Sequence, residues 1–116
     1  MASIEGLWAV EFGHAGSEFV AINAGIAVLE TNRVFGGDSW FAYTGTFQTT
    51  PSGVTGALNV KRHHHDPGSI DAFGTGDDEF TVDLVASQTH DGRLEGTIER
   101  NGHKLGVRLR KLSDLP

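Results

Sequence analysis

Ser39-Trp40-Phe41-Ala42-Tyr43-Thr44-Gly45-Thr46-Phe47-Gln48-Thr49 is the clearest strand signal in the chain. Phe41, Tyr43, Gly45 and Phe47 share one side of an extended backbone, and Trp40, Ala42, Thr44, Thr46 and Gln48 share the other. A period of two is the pleat of a strand with one face buried. Large aromatic residues on that face ask for a core large enough to take them.

The same pattern recurs on both sides of this stretch. Leu7 to Phe12 places Trp8, Val10 and Phe12 inward and Leu7, Ala9 and Glu11 outward. Phe19 to Glu30 is long and broken by Gly25, and adjacent Val28 and Leu29 blur its faces, so it reads as one bent strand or two. A turn at Thr31-Asn32 leads into the short run Arg33-Val34-Phe35, and Gly36-Gly37-Asp38 reads as a tight bend. After Pro51-Ser52-Gly53, Val54 to His65 turns Leu58 and Val60 inward and Thr55, Asn59 and Lys61 outward. Phe80 to Ala86, Arg93 to Glu99 and Lys104 to Leu112 repeat the alternation around turns at Asp91-Gly92 and Asn101-Gly102. Asn-Gly is a strong hairpin signal, because both central residues of that turn need positive φ. One connection is long: Asp66 to Asp77 opens with Asp66-Pro67, a helix cap and first helical position, and predicts a short helix over one barrel end.

Seven or eight strands joined by tight turns predict an all-β fold, an antiparallel up-and-down barrel whose neighbours follow chain order. At 116 residues one domain, 1–116, is expected, with a core that needs no staple. There is no cysteine, hence neither disulfide nor thiolate chemistry. Sixteen glycines fall mostly at turns and strand kinks. The N-terminus lacks a basic region, and the apolar run after it is broken by Glu11, so the expectation is a cytoplasmic protein with no membrane span. A net charge of −6 argues against nucleic acid, whose phosphates draw on a positive patch.

Catalytic chemistry is sparse. On a strand, His63 and His65 point one way and His64 the other, so two imidazoles at most converge, and the run reads as an exposed strand end with no metal. Gly74-Thr75-Gly76 lacks the third glycine of a dinucleotide loop and is followed by carboxylates. No nucleophile elbow or zinc-protease motif is present, and no cofactor is called for. Asp77, Asp78 and Glu79 are candidates for a partner surface, because clustered charge steers encounter, and outward Trp40 joins them. Phe12, Phe41, Tyr43, Phe47 and Phe80 are the side chains that would line a lumen.

Gly6-Leu7-Trp8 on the first strand, with an arginine on the last strand placed to lie across the indole, resembles the structural signature of the calycin barrels, which include the lipocalins. Gly6, Trp8 and Arg108 (or Arg110) would fill those roles, the arginine by cation–π stacking. A longer likeness runs through Gly6 to Phe12, Gly25-Ile26-Ala27-Val28, Gly36-Gly37-Asp38, Phe41-Ala42-Tyr43-Thr44-Gly45-Thr46-Phe47 and Val60 to Arg62. In that order these stretches resemble the GrlR family, negative regulators of type III secretion and their relatives. The resemblance implies a lipocalin-like barrel with a short helix, often dimeric, whose regulatory member sequesters a transcriptional activator without touching DNA. In that member the partner surface is an acidic run after the Tyr-x-Gly strand; here Gln48 to Gly53 carries no carboxylate. The expectation is a non-enzymatic regulatory or protein-interaction domain, the alternative a barrel that binds a small apolar, lipid-like ligand. A homodimer, burying the Trp40 face, fits a barrel this small.

Overall fold

A computed structural model describes residues 4–14, 21–64 and 77–116. Eight strands occupy them: β1 (Gly6–Gly13), β2 (Ala21–Glu30), β3 (Arg33–Gly37), β4 (Phe41–Thr49), β5 (Gly53–Arg62), β6 (Glu79–Gln88), β7 (Leu94–Arg100) and β8 (His103–Ser113). Each is antiparallel to the next in the chain, and β1 pairs with β8 to close the ring. The architecture is therefore the up-and-down, lipocalin-like barrel that the alternation predicts. Of the stretch Phe19 to Glu30, residues 21–30 form one strand, β2, in which Gly25 stays paired with Val10, and Phe19 and Val20 lie outside the described residues. The helix expected from Asp66 to Asp77 falls, Asp77 apart, on residues 65–76, outside the described residues.

Inward positions follow the period of two. Trp8, Val10 and Phe12, then Phe41, Tyr43 and Phe47, then Val82, Leu84 and Ala86, all join one buried cluster. Trp8 is buried, and its indole N–H donates to the Ile4 carbonyl at 2.9 Å, so the largest core side chain carries no unmet donor. Two hairpins use two-residue turns with positive φ, Thr31-Asn32 (49° and 63°) and Asn101-Gly102 (51° and 82°). Such angles give a turn whose twist matches that of the flanking strands.

Two expectations about local structure are overturned. Gly36 and Gly37 do not form the bend; they finish β3 and pair with β2 on one side and β4 on the other. Glycine is needed at 36 because the strands approach closely, and a Cβ there would lie 2.2 Å from the Ile26 carbonyl oxygen. The bend falls instead on Asp38 to Trp40, where one Asp38 carboxylate oxygen accepts the backbone N–H of Trp40 (2.9 Å) and of Phe41 (2.8 Å). The strand expected to reach His65 stops at Arg62, so the alternating directions assigned to the histidines do not apply. His63 and His64 are exposed just beyond it, with His63 Nε2 2.9 Å from the Asp38 carbonyl oxygen, and His65 lies outside the described residues.

Gly36→Ala forces β2 and β3 apart and is expected to destabilise the barrel by about 1–3 kcal/mol, the usual cost of overpacking. A urea unfolding curve checks this through its midpoint.

Candidate functional site: a filled lumen, a latched end and an apolar outer wall

The five aromatic residues proposed for the lumen are brought together as expected, but they fill it. Phe12 meets Tyr43 edge to face with ring centroids 5.6 Å apart, and Phe41 meets Phe80 at 6.1 Å. Beside Phe12 and Tyr43 lies a cavity of about 30 Å3, walled also by Val10, Ala27, Val34, Leu58 and Ile98. That volume admits a water or two, yet the wall offers them no hydrogen-bonding groups. Pockets for small organic ligands usually measure about 300–1,000 Å3.

Tyr43 reaches the barrel end, where its hydroxyl donates to the second carboxylate oxygen of Asp38. Asp38 thus holds the β3–β4 bend with one oxygen and the lumen's tyrosine with the other. Burial pushes the Tyr43 phenol well above its ordinary value, and the adjacent Asp38 carboxylate adds to the shift by disfavouring a second negative charge.

The same end carries a residue that the sequence reading passed over. Arg62 follows Val60 by two positions and so turns inward, where its guanidinium stacks on Phe41 at 4.7 Å and pairs with Asp78 at 3.1 Å. Beside it Arg100 lies over Phe80 at 4.2 Å and forms an ion pair with Asp77. Glu79 accepts from the Asn59 side-chain amide at 2.9 Å. The acidic run read as a partner surface is therefore engaged within the chain, holding the start of β6 to the barrel end. Extending the alternation of β5 by one step would have found Arg62; its pairing with Asp78 had no local signal.

Trp40 also departs from expectation. It is partly buried and packed against the core, and its carbonyl accepts the His63 N–H at 2.8 Å. The bend at Asp38 rolls it off the outer face. Arg108 and Arg110 do not lie on Trp8. They pair with Glu11 and Ala9 on the outward side of the sheet, Arg108 sits 3.6 Å from Glu95, and the Trp8 ring is inside. The outward parity of Arg108 in β8 and the inward parity of Trp8 in β1 put the two on opposite faces.

The outer surface holds the feature that single-strand patterns could not show. Register places Leu7, Val28, Phe35 and Thr44 in one row across β1–β4, and Ala9, Ile26, Gly37 and Ala42 in the next. Both rows point outward, and neither contains a charge. Ile26 is 48% exposed and Phe35 44%, and exposed Leu112 sits in the β8 bulge beside Leu7. Of the four exposed large apolar side chains among the described residues, only Val85 lies elsewhere. Strand and residue spacings give the two rows roughly 300 Å2, the size at which a contiguous apolar patch on a monomer is often functional.

Among the described residues, no three His, Asp or Glu side chains gather where a metal would need them. Nor is there a helix long and apolar enough to cross a membrane.

Two predictions test the latched end. Tyr43 is the chain's single tyrosine, so tyrosinate absorbance near 295 nm reports it alone. Its raised value means that its contribution to stability is complete below the unfolded value of about 10 and is lost as pH rises beyond that. No tyrosinate is expected before the alkaline unfolding seen by circular dichroism; ionisation at about pH 10 in a folded barrel would contradict the burial. Second, the Arg62 side chain is 3% exposed and that of Asp78 70%. Arg62→Ala is expected to cost about 2–4 kcal/mol through lost stacking and a cavity, and Asp78→Ala about 1 kcal/mol or less because water screens the pair. Urea unfolding of the two variants gives the comparison.

No protein-family model matches this chain, and no curated protein matches it either, so the functional reading stands on the barrel and on the side chains described above.

Proposed function

We propose that this chain is a non-enzymatic, cytoplasmic protein-interaction domain of regulatory type that binds through the outside of its barrel. The observation that carries the reading is the contrast between a packed lumen and an uncharged apolar wall across β1–β4. A cavity of about 30 Å3 argues against the lipid-like cargo that a wider barrel would carry. An exposed apolar patch has the opposite implication, since water penalises it until a partner covers it.

The class of partner, a transcriptional regulator, comes from the likeness of Gly36-Gly37-Asp38 and Phe41 to Phe47 to the GrlR family. Asp77 and Asp78 already pair with Arg100 and Arg62, which lowers the charge they offer a partner. On the wall across β1–β4, Ile26 and Phe35 are the most exposed apolar side chains, and the Arg33 guanidinium, 5.8 Å over the Phe35 ring, borders that anchor.

Affinity capture from a lysate of the source cells checks the reading, with Phe35→Glu and Val85→Glu compared against the unaltered chain. The expected outcome is one stoichiometric regulator retained by the unaltered chain and by Val85→Glu, and lost by at least tenfold with Phe35→Glu. Equal capture by all three chains, or none by the unaltered one, would overturn the proposal.

A further inference from the structure

We propose that the axis of the barrel holds a site for one small apolar gas molecule, such as dioxygen, in the void beside Phe12 and Tyr43. The site is separate from the outer wall, so it stands or falls independently of the docking reading.

The void follows from the closing of the ring. All eight strands contribute to its lining, which places it on the barrel axis. Alternation calls for inward side chains at 36 and 45, and both positions are glycine. Gly36 lies opposite Ala27 and Tyr43, and Gly45 opposite Val34 and Leu58; all four of these partners line the void. Neither glycine can give way to a residue that fills the space. A Cβ would stand 2.2 Å from the Ile26 carbonyl oxygen at 36 and 2.1 Å from the Ala57 carbonyl oxygen at 45. The close approach of neighbouring strands thus removes two side chains from the lumen, and dense packing around them keeps the lining from collapsing inward.

The chemistry of the lining selects the occupant. Of the twelve side chains around the void, eleven are hydrocarbon, and the twelfth, Tyr43, has its hydroxyl bonded to Asp38. Water needs two to four polar partners and finds none there, so the void stays dry. A gas such as dioxygen needs no such partner and gains dispersion contacts on every side. The volume, about 30 Å3, suits it. One water-sized sphere takes roughly 10–15 Å3 by the same measure, so a diatomic molecule fits and an acyl chain does not.

Two heavy atoms limit the affinity. At the ceiling of binding energy per atom the dissociation constant is no lower than about 5 mM, so occupancy rises in proportion to the dissolved gas. Local openings of the barrel pass a molecule this small, and no permanent channel is needed.

Methyl relaxation measured by nuclear magnetic resonance under several bar of dioxygen, against the same pressure of nitrogen, tests the site. Dioxygen is paramagnetic and speeds the relaxation of protons it touches. The methyl groups of Val10, Val34, Leu58 and Ile98 are expected to show an enhancement several times that of Val82 and Leu94, which are as deeply buried but stand off the lining. Ala27→Val fills the void and should lower the enhancement at those four residues to the level of Leu94. Val34→Ala enlarges it and should raise the enhancement at Val10, Leu58 and Ile98. Equal enhancement on and off the lining in the unaltered chain overturns the proposal, as do nuclear Overhauser contacts from the lining methyl groups to a resident water. Persistence of the contrast in an Ala27→Val chain that far-ultraviolet circular dichroism shows to be folded overturns it too. Should Ala27→Val fail to fold, Val34→Ala decides, and an unchanged enhancement there removes the site.

Discussion

The pairing of β1 with β8 is the contact on which the molecule depends. Val10 opposite Leu109 and Phe12 opposite Val107 turn a row of hairpins into a ring. Closure satisfies the backbone groups that two edge strands would otherwise present to solvent or to other chains. It also gives the sheet an inside, so each inward side chain has neighbours all around it. A ring of eight strands leaves an interior just wide enough for side chains to fill, and among the described residues a cavity of about 30 Å3 lies beside Phe12 and Tyr43. The described interior is thereby given over largely to packing.

The end from which β6 begins is held by charge placed on aromatic rings. Arg62 and Arg100 stack on Phe41 and Phe80, which touch each other, and Asp78 and Asp77 meet the two guanidinium groups from the approaching chain. A guanidinium face is weakly hydrated and tolerates such contact better than an ammonium would. Beside this stack Asp38 holds both the β3–β4 bend and the Tyr43 hydroxyl. Groups that look like chemistry in the sequence, three consecutive carboxylates and His63, are occupied or bordered by this closure. The wall across β1–β4 takes no part in it.

Much of the fold was legible because its cause is local. Trp8, Val10, Phe12, Phe41, Tyr43, Phe47, Val82 and Leu84 each face the side that alternation gave them, and the Asn101-Gly102 turn sits where its backbone angles require. Misreadings came where a local signal has two physical meanings. A glycine pair marks a bend or a close approach of strands, and at Gly36 it is the approach. An aromatic residue of outward parity lies on the face only while the strand lasts, and Trp40 stands one residue before β4 begins. Arg62 was missed as a site residue although its parity, two positions after inward Val60, pointed in.

Sequence alone determined which way most strand residues point and where most of the chain reverses, since both follow from the backbone's period of two and from turn chemistry within a few residues. Only the tertiary structure decided which residues stand side by side on different strands: Arg62 on Phe41, Asp77 on Arg100, and the uncharged rows of the outer wall. Direction is a property of one strand, whereas adjacency depends on the register between strands, which the packing of the whole ring sets at once.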